Sequence, residues 1–333
     1  MRIGDVGEFP LIERLAWIAG RGRADVVVGI GDDAAAVDLG GEDLVLLTVD
    51  SQVEGSHFVR GCIEPRVLGR RVLAVNTSDI AAMGGRPTHA LVSLVLPTEL
   101  ELEWVEELYR GLAEEADRFG VAVVGGNVAR CEDGIVLDLT LVGRVRREHL
   151  LTRAGAKPGD MALVTGSLGE AAAGLYLSSH PELEIPERDA LLARHLAPTP
   201  RVEEGQVIGA AGLATAMIDL SDGLGSDIGH VCDRSGVGVR IHAAKLPVSP
   251  AVERVAEQIG KKAWELALFG GEDFELLFTA SPHAAGVLAE RVSAGTGTPV
   301  SVVGEVLPAP AGRRLVLPEG IEVPLEPRGF THF

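Results

Sequence analysis

Lysine is nearly missing from this chain: its 333 residues include four, Lys157, Lys245, Lys261 and Lys262. No GxxxxGKS/T run occurs, so a Walker-type phosphate cradle is excluded, and no GxGxxG run opens a Rossmann dinucleotide site. Cysteine is scarce too. Cys62, Cys131 and Cys232 are far apart, odd in number and without CxxC spacing, which argues against a disulfide framework or zinc site and suits a reducing cytoplasm. Aromatics make up only 4%, so the core must be built from Val, Leu, Ile and Ala. Bases are outnumbered by acids, 30 to 48, for a formal charge of −18. That balance lacks the basic stripe a nucleic-acid surface needs and disfavours anionic lipid. No uninterrupted apolar run reaches the ~18 residues of a membrane span. The opening MRIGDVGEFPLIERL has no basic region followed by an apolar run, and does not read as a signal peptide.

What is present is a substantial apolar content, 46%, in a chain long enough for two domains. Residues 8–20 read as a short amphipathic helix. Apolar runs at 26–31, 44–50, 90–97, 121–126 and 135–145 read as strands, with helices at 66–82 and 101–119 between them. Leu102, Val105, Leu108, Leu112, Ala116 and Phe119 recur at helical spacing and are expected in the core. A polar stretch at 144–160 suggests a boundary near 147, giving domains 1–147 and 148–333. Strands are expected again at 161–166, 215–219, 237–242, 274–280 and 300–306. Helices are expected at 168–178, 187–196, 202–212, 226–235 and 282–293. The alternation predicts two α/β or α+β domains.

Carboxylates recur where apolar strands end. VVVGIG runs into Asp32 and Asp33, LVLLTV into Asp50, LAVNTS into Asp79, ATAMI into Asp219 with Ser221 and Asp222 behind, and ALFGG into Glu272 and Asp273. Ligand sites of α/β folds gather at strand ends. Acids gathered there repel one another unless cations lie between them, and Mg²⁺ takes oxygen ligands while keeping phosphates in its shell. The pairs Gly29/Gly31, Gly84-Gly85, Gly125-Gly126 and Gly270-Gly271 let backbone amides approach phosphate. Without a P-loop lysine, phosphate would be held by metals, amides and a few arginines, which suffices for phosphoryl transfer. Each acid also has a plainer reading. Asp33 or Ser78/Asp79 could cap a helix starting at Ala34 or Ile80. DLSDGLGSD at 219–227 could be an Asx-turn loop, and GGED at 270–273 an ordinary turn.

Eight segments, in order, then resemble the thiamine-monophosphate kinase family: GIGDDAA (29–35), TVDSQVEGSHF (48–58), LAVNTSDIAAMGG (73–85), GGN (125–127), LTRAGAKPGD (151–160), IDLSDGL (218–224), GGEDFEL (270–276) and GFTHF (329–333). The wider superfamily includes aminoimidazole ribonucleotide synthetase. The resemblance implies a mixed N-terminal sheet with helices used for homodimerisation and a C-terminal α/β sandwich. It implies direct, Mg²⁺-dependent transfer of the ATP γ-phosphoryl group to thiamine monophosphate. By position, Asp33, Thr48, Asp50, Asp79, Asp219 and Asp222 resemble metal ligands, and Val49 one through its carbonyl. Gly126, Asn127, Arg153 and Ser221 fall at ATP-contacting positions, and His57, Glu272 and Phe330 at thiamine-contacting ones. Asn127 stands where several family members carry Asp, so its neutral oxygen suits nucleotide better than metal. Apart from the resemblance, His57 reads as a structural histidine after the Gly55-Ser56 turn. The rival readings are another ATP-using enzyme of the superfamily, and a nucleotide- or divalent-ion-binding module without catalysis.

Overall fold

The computed structural model describes Arg2, residues 5–20, 22–326 and Arg328. Phe330, expected at the thiamine end, lies outside the described residues. The chain opens with α1 (Glu8–Ala19), which buries none of its residues fully and rests the Phe9 ring against His230, 4.5 Å between centroids.

The first half builds a six-stranded sheet. Its elements are β1 (Val26–Val28), β2 (Ala35–Val37), β3 (Asp43–Val53), α2 (Pro65–Ala82), β4 (Arg86–Pro97), α3 (Leu102–Phe119), β5 (Ala122–Cys131) and β6 (Val136–Arg146). The order is β1-β2-β3-β6-β4-β5, antiparallel except for the parallel β4–β5 edge. Alternation along β3 and β6 sends Leu44, Leu46, Leu137, Leu139 and Leu141 inward onto Leu68, Val72 and Ile80 of α2 and Leu108, Leu112 and Ala116 of α3. The opposite face carries Leu47, Val49 and Leu91, which stay exposed.

Pro at the first position of α2 starts that helix, and its apolar spacing carries it unbroken to Ala82, so Asp79 lies within the helix and caps nothing. Asp33 caps no helix either, because residues from Ala35 extend as β2. The strand expected over 26–31 stops at Val28, and Gly31 turns the chain with φ 110°. Leu102, expected in the core, is exposed at the first position of α3.

The two helices touch backbone to backbone. A Cβ on Gly111 would sit 1.7 Å from the Arg66 carbonyl oxygen, and one on Gly69 1.9 Å from that of Leu108. Gly111→Ala must therefore push α3 off α2, and should cost on the order of 3 kcal/mol in urea unfolding. A loss below about 0.5 kcal/mol, the scale of an ordinary surface change, would contradict that packing.

The second half is a seven-stranded sheet of order β13-β12-β9-β11-β7-β10-β8, antiparallel except β12–β9. Its elements are β7 (Met161–Thr165), α4 (Glu170–Ser179), α5 (Arg188–Leu196), α6 (Val202–Ala211), β8 (Ala214–Asp219), α7 (Leu224–Ser235), β9 (Val237–His242), α8 (Pro250–Gln258), α9 (Ala263–Phe269), β10 (Leu276–Ala280), α10 (Pro282–Thr296), β11 (Val300–Pro308), β12 (Arg313–Val316) and β13 (Glu322–Pro324). Ile208 of α6 and Leu288 of α10 pack on one face, against Leu163, Met217 and Phe278. Leu224 and Ile228 of α7 pack on the other, with Val164, Ile218 and Leu277. The halves meet along α2, where a Cβ on Gly205 of α6 would lie 2.2 Å from the Ala81 carbonyl oxygen. No helix among the described residues is long and apolar enough to cross a membrane.

Candidate active site

Helix α2 is the spine of the site. Buried on nearly every side, it aims four polar side chains at both halves of the molecule. Asn76 Oδ1 accepts from the Asp50 amide at 3.0 Å, Ser78 Oγ donates to Asp219 Oδ2 at 2.6 Å, and Asp79 Oδ2 accepts from Thr48 Oγ1 at 2.6 Å. At the other end Arg71 reaches Glu272. Thr48 and Asp50 lie on the inward face of β3, whereas the Val49 side chain points outward and is 61% exposed, leaving only its backbone to face the cluster.

Asp33, Asp79 and Asp219 come together from the β1–β2 loop, α2 and the end of β8, with one oxygen of each within 4.8 Å of the others. Asp33 and Asp219 are buried, and Asp33 Oδ2 has no hydrogen-bond partner among the described residues. Burial raises the Asp79 carboxyl well above its usual range, and the neighbouring Asp50, Asp219 and Asp33 raise it further. Burial and then Asp33 push Asp219 up to about 7, against the Ser78 hydroxyl and Arg153. Burial raises Asp33 too, and lifts Asp32 to about 6. Three hard oxygen donors that resist ionising together are the donor set a divalent cation requires.

Arg153, expected at ATP, pairs here with Asp33: Nε lies 3.1 Å and Nη2 2.5 Å from Oδ1, while its amide donates to Asp32 at 3.2 Å. Burial works against the guanidinium charge, but Asp33, Asp219 and Asp32 together outweigh it and raise the pKa further. Ser221 and Asp222 follow β8 directly, and the Ser221 carbonyl accepts from the Glu272 amide at 2.7 Å. Asp222 joins Asp227 and His230 in a second group whose donor atoms also lie within 4.8 Å of one another. Asp227 accepts from the amides of Asp222 and Gly223 at 3.2 and 3.1 Å, and burial raises its carboxyl well above the normal range. Burial, and next Arg153, lower His230 to about 4. Sequence reasoning missed Asp227 and His230. The available signal was their spacing of three on one helix, directly after the IDLSDGL run.

His57 and Glu272, expected at the thiamine end, sit toward the far end of α2 from the aspartate cluster. The Gln52 side chain accepts from Arg71 Nε at 3.2 Å, and the Val53 amide donates to His57 Nδ1 at 3.1 Å, tying His57 to the turn after β3. Eight residues of helix separate Arg71 from Asp79, about 12 Å along the axis. Four residues of β3 separate Thr48 from Gln52, roughly 13 Å. The aspartate cluster and the Arg71–Glu272 pair thus lie at two ends of α2. Burial works to raise Glu272, but His195 and Arg71 bring it down to about 2. Its charge is already matched by Arg71.

Gly126 and Asn127 are not at the cluster of their own chain. Asn127 pairs with Ser93 of β4, Ser93 with Asp138 of β6, and Asp138 with Ser51 of β3. Three strand spacings put Asn127 roughly 14 Å from β3. Gly126 is held to glycine at this edge, since a Cβ would fall 1.7 Å from the Val92 carbonyl oxygen.

Two α/β halves, joined along a helix that carries an acidic cluster, define the class of this protein. Two family models match it: "AIR synthase related protein, N-terminal domain" over residues 31–145, and the corresponding C-terminal domain over 157–316. Within that class the chain belongs to the thiamine-monophosphate kinase family. The Escherichia coli K12 thiamine-monophosphate kinase is 37% identical over 330 residues, 98% of either chain. That of Aquifex aeolicus is 41% identical over 280 residues, 84% of this chain and 87% of its own. The solved structure of AaThiL complexed with AMPPCP and TMP superposes with a TM-score of 0.86 at 37% identity, covering 100% of this chain and 99% of that one. The hydrogenase maturation protein HypE of E. coli shares the fold, with a TM-score of 0.69 at 21% identity.

Proposed function

We infer that this protein is an ATP-dependent kinase that phosphorylates thiamine monophosphate to thiamine diphosphate by direct transfer of the γ-phosphoryl group. The observation that carries this reading is the Asp33–Asp79–Asp219 cluster at the junction of the two halves, in a chain related over its full length to thiamine-monophosphate kinases. The relative solved with AMPPCP and TMP supports the same pair of ligands here.

Mg²⁺ fits the donor set. Asp33, Asp79 and Asp219, with Thr48, Asp50 and the Val49 carbonyl, would hold such ions, and Asp222 a further one. Bound there, the ions would neutralise phosphate charge that this lysine-poor cleft cannot. Arg153 and Ser221 would contact ATP. His57, Glu272 and Phe330 would receive the thiamine moiety. The 148–333 half supplies Arg153, Asp219 and Glu272, and so completes a site begun by 1–147. A cytoplasmic location belongs to the same proposal, because ATP is the phosphoryl donor.

The homodimer is part of the proposal. Asn127 and Gly126 sit on an exposed edge strand far from their own cluster, beside a sheet face of exposed Leu47, Val49, Leu91 and Val123. A second copy packed on that face would bury it and bring nucleotide-contacting residues to a neighbouring site. Light scattering is expected to give twice the chain mass.

The decisive experiment is product analysis after mixing the protein with ATP, MgCl₂ and thiamine monophosphate. Thiamine diphosphate and ADP are expected in equal amounts, with ADP release dependent on thiamine monophosphate. ADP release without that dependence would favour another activity of the superfamily, and no turnover would favour a binding module.

A further inference from the structure

The loop that carries Glu272 is built under strain. Glu272 and Phe274 have φ of 67° and 49°, a region that side chains other than glycine rarely adopt. Such backbone persists only where its surroundings over-determine it, and here they do. The Glu272 and Phe274 amides donate to the Ser221 and Leu220 carbonyls at 2.7 and 2.9 Å. Asp273 is buried and accepts from the Gly169 and Ala171 amides at the start of α4, at 2.6 and 3.1 Å. Glu275, fully buried, is gripped by Arg194 and Arg201. These ties fix the backbone on either side of Glu272 but leave its side chain to be aimed by other groups.

Two side chains aim it. Arg71 comes from α2, across the junction of the halves, and is 2% exposed. Its Nε donates to Gln52 at 3.2 Å, its Nη1 to the His195 carbonyl at 2.5 Å, and its Nη2 to Glu272 Oε1. His195, near the end of α5, brings Nδ1 within 3.0 Å of Glu272 Oε2, at an angle short of a well-formed hydrogen bond. The guanidinium spends its three nitrogens on three elements, and only a planar fork can do that. A structural ion pair alone would not require a second side chain against the carboxylate's other oxygen, nor the carboxylate to stay one-third exposed.

We propose that Arg71 and His195 are positioning residues that orient the Glu272 carboxylate for the organic end of the phosphoryl acceptor. This rests on Glu272 contacting the thiamine moiety. Because Arg71 shares α2 with Asp79, one rigid helix then sets the separation between the acceptor's two ends.

The test is steady-state kinetics with MgCl₂ on Arg71→Lys, His195→Asn, Glu272→Gln and the Arg71→Lys/Glu272→Gln double variant, each checked for folding by thermal melting. Arg71→Lys keeps the charge and loses the fork. It should raise KM for thiamine monophosphate about tenfold, the loss of one charge-assisted hydrogen bond, and leave KM for ATP unchanged. The double variant should be no worse than Glu272→Gln alone, because both changes act through one carboxylate. Should Arg71→Lys fail to fold, His195→Asn is expected to show the same split at about threefold, in proportion to its weaker, misaligned contact. The inference is overturned if the folded variants shift both KM values alike, if neither moves KM for thiamine monophosphate while Glu272→Gln does, or if the Arg71 and Glu272 effects multiply. If Glu272→Gln itself leaves that KM unchanged, the substrate role of Glu272 falls, and the inference with it.

Discussion

Asp79→Asn should lower kcat/KM by a thousandfold or more, about 4 kcal/mol of lost transition-state stabilisation, while leaving the fold as stable as before or more so. The substitution keeps the shape of the side chain, and an amide oxygen can still accept the Thr48 hydroxyl at 2.6 Å. What it removes is an ionisable carboxyl that burial and then Asp50, Asp219 and Asp33 all raise. Relieving that repulsion favours the metal-free fold, and the same change deprives a divalent cation of a carboxylate it needs. The two effects oppose, as is common where a site is built at the expense of stability. Thermal melting without Mg²⁺ and turnover with it, on one preparation, read both. Turnover within tenfold of wild type at saturating Mg²⁺ would refute the role given to Asp79.

The second large effect couples pH to Mg²⁺. Burial pushes the Asp219 and Asp273 carboxyls up to about 7 in the folded chain, well above the usual carboxylate range. A group whose folded pKa is raised binds more protons folded than unfolded. Its contribution is fully present below the unfolded value and is lost as pH rises through the folded one. Metal-free protein should therefore lose stability between pH 6 and pH 8. Of the groups lowered by folding, Glu272 loses its contribution only as pH falls toward about 2, and His230 at about 4 opposes the trend only at the lower edge of the window. Cations at the cluster hold Asp219 ionised and cancel its share, whereas Asp273, capped by two amides away from the cluster, keeps its own. Added MgCl₂ should raise Tm by roughly 5–10 °C at a hundredfold excess over Kd, more at pH 8 than at pH 6. In Asp219→Asn the difference between the two pH values should shrink. An equal gain at both pH values in the wild type would show that the ion does not displace protons from this cluster.

Much of this was legible in the sequence because it depends on local pattern. Apolar runs in LVLLTVD and IVLDLTLVGRV marked β3 and β6, and the apolar period from Val67 to Ala82 marked α2. The weaker elements had no such period. β2 and β13 are three residues long, and α9 is seven. They exist because longer neighbours offer them an edge or a groove, which no window of sequence contains. The helix-cap reading of Asp33 and Asp79 failed for the same reason. A cap is a local explanation, and both residues answer to partners more than 30 positions away, Thr48 for Asp79 and Arg153 for Asp33.

The acids at strand ends, the missing P-loop lysine and the ordered motifs were enough for the sequence to determine a two-domain α/β protein, its family and most of the carboxylates that meet at the junction of the halves. These are matters of residue type and order. Tertiary structure decided how the charges are shared. It set Arg153 on Asp33, drew Arg71 from the first half onto Glu272 in the second, added Asp227 and His230 beside Asp222, and left Asn127 three strands from the cluster it was expected to serve. Charges interact through space at a few ångströms, and the chain brings them to that range only when two sheets close on α2.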